Sequence, residues 1–322
     1  MNVAIRFAAG SDIGCNRDNN EDSGYAGARL IAVADGMGGY AGGEVASSTV
    51  IGSLRSLDTD VRQEAIVEML GREVAEATEK LRIVREERPD LRRMGTTLTA
   101  MLWSGDSVAL AHVGDSRGYM LRDGELYQMT QDHTMDELLK AEAEQAGQQA
   151  DPSETSRLSH VLYRVLDGRD DREPDLRLRD AQLGDRYLLC SDGLSGPVDA
   201  QEIYEVLSAE ADPQRAVDRL IELAREHGGP DNITAVVADV VEAEHITGPT
   251  TPLIAARAVH RPARPGHRPP LHPRPPRRPR PRPDAPAPRP SRARPLLDAA
   301  RPAAPSLPGG RPDSARFSPR PP

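Results

Sequence analysis

Four short apolar runs meet an aspartate where they end or begin: RLIAVAD (29–35), SVALAHVGD (107–115), RYLLCSD (186–192) and, just after Asp231, NITAVVADV (232–240). Each is rich in Val, Ile, Leu and Ala, is bounded by Gly, Asp or Asn, and is too short for a buried helix, so each reads as a core strand. Asp35, Asp115, Asp192 and Asp231 therefore stand where a rigid strand opens into a small-residue turn. Taken singly, such an Asp is a turn signal. If the four strand ends converge, the result is a cluster of fixed carboxylates, which repel one another unless a cation sits among them. With oxygen ligands and no Cys or His at these turns, the fitting ion is hard, Mg2+ or Mn2+. Glycine beside the Asp leaves room for its carbonyl, or for water, to reach a metal shell.

The remaining pattern extends this frame. GTTLTAMLW (95–103) alternates and is a further strand, and YMLRDGELYQM (119–129) is a hairpin, because Asp-Gly is flanked by strand formers. Helical periodicity runs from Gly43 to about Leu57, from about Val61 to Glu87 and from Pro213 to His227. The last of these has Asp212 placed as N-cap, Pro213 at the first helical position and Gly-Gly as a stop. Residues 134–160 are polar and helix-prone with little apolar content, which suits a peripheral flap. Strands joined by hairpins, with helices grouped elsewhere, predict an α+β layered fold.

Charge divides the chain. Residues 251–322 hold 16 Arg, no Lys and 3 Asp, and 22 of the 29 Pro, so a basic tail of about +13 follows a body of about −22. Such a tail has too few apolar side chains for a core, and proline blocks helix and sheet ladders, so disorder with polyproline character is expected for 244–322. Its arginines suit acidic partners or nucleic acid through counterion release, although Phe317 is its only aromatic. Two cysteines, Cys15 and Cys190, are too few for a disulfide framework. The N-terminus, broken by Arg6, lacks a signal-peptide core, and no apolar run approaches the roughly 20 residues of a membrane span. A soluble, cytoplasmic protein is expected.

SDIGCNRDNNEDSGYAG (11–27) adds Arg17, Glu21 and Asp22. Asp18, Asn20 and Asp22 alternate as in a calcium loop, but Ser23 and Arg29 occupy the positions where an EF-hand needs Gly and Glu, which excludes it. Arg17, beside a carboxylate cluster, has a planar fork able to hold phosphate bidentately.

Six stretches, in order, carry a resemblance: SDIGCNRDNNED, VADGMGGYAGGEVAS, MGTTLTAML, VGDSRGYMLRDGELYQMTQDHT, GDRYLLCSDGLSGPV and GGPDNITAVVADV. Together they resemble the metal-dependent Ser/Thr protein phosphatases of the PPM/PP2C family, in its bacterial branch, over about residues 11–240. The resemblance implies a four-layer α-β-β-α sandwich over 1–243, with a flap at about 134–160. It implies two Mn2+ or Mg2+ ions bridged by Asp35, with the Gly36 carbonyl joining one of them. Asp192 and Asp231 complete the first ion, Glu21 holds the second through water, and Asp115 matches the position of a third, weaker metal. Arg17 grips the phosphate. The implied reaction is hydrolysis of phosphoserine and phosphothreonine by a metal-bridged hydroxide. The implied partners are phosphorylated proteins, Ser/Thr kinases among them, and a monomer is expected.

Two departures stand out. Tyr40 occupies a position where relatives usually carry His, and His160 one where they usually carry Asn. Both leave open a catalytically weak phosphoprotein-binding module, and the tail leaves open a scaffold acting through acidic partners. His133 and His160 are expected to be structural or exposed, Cys190 to be packed in the core, and Asp132 is given no metal role.

Overall fold

A computed structural model of the chain describes residues 3–39, 41–169, 173–243 and 251–255. Tyr40 and most of the expected tail lie outside the described residues.

Two antiparallel sheets pack face to face. The five-stranded sheet has the order β1 (Val3–Asp12), β12 (Ile233–Glu242), β11 (Arg186–Cys190), β8 (Arg117–Arg122), β9 (Glu125–Gln128). The six-stranded sheet has the order β10 (Asp175–Asp180), β7 (Ser107–Val113), β6 (Leu98–Ser104), β3 (Leu30–Ala34), β2 (Ser23–Ala26), β13 (Leu253–Ala255). Helices α1 (Gly42–Leu54) and α2 (Ile66–Glu87) cover the outer face of the second sheet, and α6 (Ala200–Ala209) and α7 (Pro213–Glu226) cover that of the first. This is the expected α-β-β-α layering.

The period of two in each strand produces three cores from one run of apolar residues. In β3, Leu30, Ala32 and Ala34 face Val50, Leu54, Leu70 and Val74 of the helices, whereas Ile31 and Val33 face the other sheet. In β12, Ala235 and Val237 pack toward Val217 and Leu220 of α7, and Val236, Ala238 and Val240 point inward. Strands buried on both faces read as unbroken apolar runs. The inner layer centres on Trp103 and Tyr187, whose rings meet edge to face at 5.4 Å. Cys190 is fully buried, as expected.

Local signals place the termini. Asp212 accepts the Gln214 N–H at 2.7 Å at the start of α7, and Asp199 and Glu202 form a reciprocal capping box on α6. The hairpin between β8 and β9 turns at Asp123 and Gly124, both at positive φ. The flap resolves into α3 (Met135–Gln145) and α4 (Pro152–Leu158). One boundary moves: β13 lies beyond residue 243, inside the stretch expected as tail, and pairs with β2. Its apolar Leu253 and Ala255 supply the inward face that the rest of the tail composition lacks.

Candidate metal centre

All seven residues singled out from the sequence line one cleft of about 300 Å³: Arg17, Glu21, Asp35, Gly36, Asp115, Asp192 and Asp231. The strands deliver them. Asp35 leaves the end of β3 and Asp115 follows β7, both in the six-stranded sheet. Asp192 follows β11 and opens α5 (Asp192–Ser195), and Asp231 precedes β12, both in the five-stranded sheet. Glu21 sits just before β2.

Backbone contacts fix the carboxylates. The Asp35 N–H donates to Thr97 Oγ1, and its carbonyl accepts from Thr97 N and Thr96 Oγ1, each at 2.9 Å. Gly36 continues into a two-residue strand, β4 (Gly36–Met37), paired with β5 (Gly95–Thr96). A side chain at Gly36 would meet the carbonyls of Gly43 and Glu21 at 2.2 and 2.4 Å, so only glycine allows this approach. Asn232 acts as a clip. Its Oδ1 accepts the Glu21 N–H at 2.8 Å, and its amide donates to the carbonyls of Ile13 and Asn19 at 3.0 and 2.9 Å. Behind the cleft, Ser191 donates to Asp22 at 2.8 Å and accepts the Thr234 N–H at 3.0 Å, which joins β11 to β12 beside Asp192 and Asp231. Sequence reasoning did not single out Thr97, Asn232 or Ser191. Each stands within five residues of a chosen residue or motif, but only the fold shows which backbone it serves.

The electrostatics fit a cation. Burial first, and then the charges of Asp22, Asp192, Asp115 and Asp231, hold the Asp35 carboxyl well above the ordinary carboxylate range. Asp115 is pushed up to about 7 by burial and then by Asp192 and Asp132, and Asp22 to about 7, mainly by burial. Asp192 Oδ1 is buried without a hydrogen-bond partner among the described residues. Among those residues no three His, Cys, Asp or Glu side chains close into a ready-made cage. A wide carboxylate set with a backbone carbonyl suits hard ions that keep part of their water shell. Arg17, half-exposed at the rim, donates from Nη2 to Asp231 Oδ2 at 2.5 Å, and that bond chiefly holds it charged.

This pattern has a consequence for stability. Carboxyls whose pKa is raised in the fold bind protons that the unfolded chain has released, so stability falls as pH rises through that interval. For Asp22 and Asp115 the interval runs from 3.8 to about 7. Metal-free protein is therefore expected to melt at lower temperature at pH 7.5 than at pH 5. Saturating Mn2+ restores the loss, with each kcal/mol moving Tm by about 2–4 °C. Calorimetric melts with Mn2+ and with EDTA check this, and a Tm indifferent to both pH and Mn2+ would contradict it.

The histidines divide. His133 is buried, and its Nδ1 accepts the Gly114 N–H at 3.1 Å, bracing the turn before Asp115, as its structural assignment implied. His160 is exposed but lines the cleft. Asp132 is engaged by Arg117 at 2.8 Å.

The protein phosphatase 2C family model matches residues 14–238. The serine/threonine protein phosphatase PstP of Mycobacterium tuberculosis is 48% identical over 255 residues, covering 79% of this chain and 48% of that protein. The chain thus spans about half the length of that curated relative. The Listeria welshimeri serine/threonine phosphatase stp is 32% identical over 243 residues, covering 71% of this chain and 93% of that protein. The crystal structure of the PstP catalytic domain in complex with two manganese ions superposes with a TM-score of 0.68 at 49% identity, covering 74% of this chain and 99% of that one. With a family match over most of the described body, on the fold and cleft set out above, this chain belongs to the protein phosphatase 2C family.

Proposed function

We propose that the chain is a Mn2+- or Mg2+-dependent phosphatase that hydrolyses phosphoserine and phosphothreonine in proteins and opposes Ser/Thr kinases. The observation that carries this reading is the convergence of Glu21, Asp35, Gly36, Asp115, Asp192 and Asp231 with Arg17 in one cleft. The manganese-bound PstP structure supports the choice of ion.

In this reading Asp35, Asp192 and Asp231 would hold one ion, Asp35 and, through water, Glu21 would hold the second, and the Gly36 carbonyl would join one of them. Asp115 serves a third, weaker ion. Bound ions supply Lewis acidity at the phosphoryl oxygens and activate water for in-line attack on phosphorus. The protein's own task is positioning. Thr96 and Thr97 fix the Asp35 backbone, and Asn232 fixes that of Glu21, so the carboxylates need no rearrangement when substrate arrives. Arg17 exchanges its contact with Asp231 for the phosphate oxygens, and its fork offsets their charge. Cys190, fully buried with its thiol pushed up to about 12 by burial, takes no part as a nucleophile.

Among the described residues no helix is long and apolar enough to cross a membrane, and both cysteines are free. We assign the protein to the cytoplasm on the second of these, since free thiols suit a reducing compartment.

The test is hydrolysis of p-nitrophenyl phosphate and of a phosphothreonine peptide by the full chain with Mn2+, then with excess EDTA. Turnover of both that vanishes with EDTA is expected. A folded, Mn2+-loaded protein that retains phosphopeptide without cleaving it would overturn the reading in favour of a binding module.

A further inference from the structure

The cleft holding Arg17 and Asp35 adjoins a second one of about 500 Å³, between the flap and the turn at Ser195–Pro197. The two share four side chains: Asp115, His160, Asp192 and Asp231. His160 follows α4 and comes from the flap, and the three aspartates come from strand ends. A phosphoprotein with its phosphate beside Arg17 would have the adjoining cleft as the place for its peptide. The oxygen joining phosphate to peptide then lies where the clefts meet, beside those four groups.

That oxygen needs a proton. A serine or threonine alkoxide is a poor leaving group, and a side chain able to deliver a proton near neutral pH makes its departure easier. Three of the four junction groups are the aspartates assigned above to cations, and a carboxylate on a cation carries no proton to give. Arg17 does not release its proton. Among the described residues lining either cleft, His160 is the only imidazole. His112 is buried in β7, His133 is buried in the loop before α3, and His227 is tied to the Pro197 carbonyl at 2.8 Å. No hydrogen bond to another described residue engages the His160 ring, which lines both clefts.

Resting on the phosphatase reading, we propose that His160 is a catalytic residue, the general acid for the leaving serine or threonine oxygen. Water oxygen bonds to phosphorus as the bond from phosphorus to the ester oxygen breaks. The electron pair of that bond stays on the ester oxygen, which takes the proton of the imidazolium and leaves as the alcohol. The attacking water releases one proton to solvent, and neutral His160 regains one from solvent, so the cycle closes with alcohol and phosphate as the only products.

The test compares leaving groups. The full chain and its His160→Gln and His160→Asn variants are assayed with Mn2+ on a phosphothreonine peptide and on p-nitrophenyl phosphate, whose nitrophenolate departs without a proton. Loss of a general acid is expected to cut kcat on the peptide about 100-fold or more, and to cut the nitrophenyl rate by a far smaller factor. KM for the peptide and the calorimetric affinity for Mn2+ should stay close to those of the parent. Equal losses on the two substrates, or a peptide loss under about threefold, would overturn the assignment. So would a selective peptide loss in Asp115→Asn that His160→Gln lacks. A parent chain inactive on both substrates sinks the phosphatase reading itself, and a parent active on both with no differential loss in the variants sinks only the role of His160.

Discussion

Asp35→Asn is expected to lower Mn2+-dependent turnover by at least about a thousandfold, because Lewis-acid stabilisation is worth several kcal/mol and each ~1.4 kcal/mol is a factor of ten. The same change is expected to raise the melting temperature of the metal-free protein. The two effects have one cause. Asp35 lies amid Asp22, Asp115, Asp192 and Asp231, and burial with their repulsion disfavours its charged form. Asn has the same shape without the charge, so the metal-free fold loses a repulsive group and keeps its packing. The backbone contacts with Thr96 and Thr97 do not depend on the side chain, so misfolding does not account for lost activity. Thermal melts and initial rates on one preparation read both effects. Activity within about tenfold of the parent would remove Asp35 from its bridging role, since even residues that merely orient ligands are worth 10–100-fold. A lower metal-free melting temperature would mean that the carboxylate is structural.

The largest stability effect is expected far from the cleft, at Arg186→Met. Arg186 is nearly buried and forks onto Asp239, from Nε to Oδ1 at 2.6 Å and from Nη2 to Oδ2 at 2.9 Å. Its remaining donors reach the carbonyls of Leu207, Glu210 and Ala211 at the end of α6, groups that the helix cannot satisfy itself. One side chain thus joins β11, β12 and a helix terminus. Methionine fills the volume and leaves the Leu207 and Glu210 carbonyls and one side of Asp239 unmet, while Arg6 still donates to the Ala211 carbonyl at 2.9 Å. Breaking such a buried pair costs about 3–5 kcal/mol, which lowers Tm by on the order of 10 °C in a domain of this size. Arg6, which also donates to Asp239 at 2.6 Å, limits the damage. Urea titration measures the loss, and Mn2+-dependent activity at low temperature should persist. A cost under about 1 kcal/mol, the level of an exposed pair, would mean that Arg6 alone satisfies Asp239.

Arg186 also shows where sequence reading stops. In RYLLCSD it is the one charged residue heading an otherwise apolar strand, and nothing local tells that its partner lies 53 positions on. The strands β3, β7, β11 and β12 were legible because they are buried on both faces and are mostly Val, Ile, Leu and Ala. β1 was not, because Arg6 breaks its pattern to reach Asp239. β10, DLRLRD, was not, because it is a largely exposed edge strand. Asp35, Asp115 and Asp192 were legible because Asp beside Gly at a strand end is a local signature, Asp231 because it heads an apolar strand, and Glu21 only through the family resemblance. Their supports were not, since Asn232 serves Glu21 and Thr97 serves Asp35 across long stretches of chain. His160 was noticed as a departure and read as structural or exposed. It is exposed, and its place at the junction of two clefts came only from the fold.

The carboxylates come from both layers, Asp35 and Asp115 from one sheet and Asp192 and Asp231 from the other. In the proposed reading a cation among them would be a rivet through one end of the sandwich. The layers would not slide or part at that end without stretching the coordination shell, while at the opposite end Arg122 of β8 reaches across to the Asp180 carbonyl of β10 at 2.9 Å. Removing the ion would then loosen the two sheets from each other at the end that carries the chemistry.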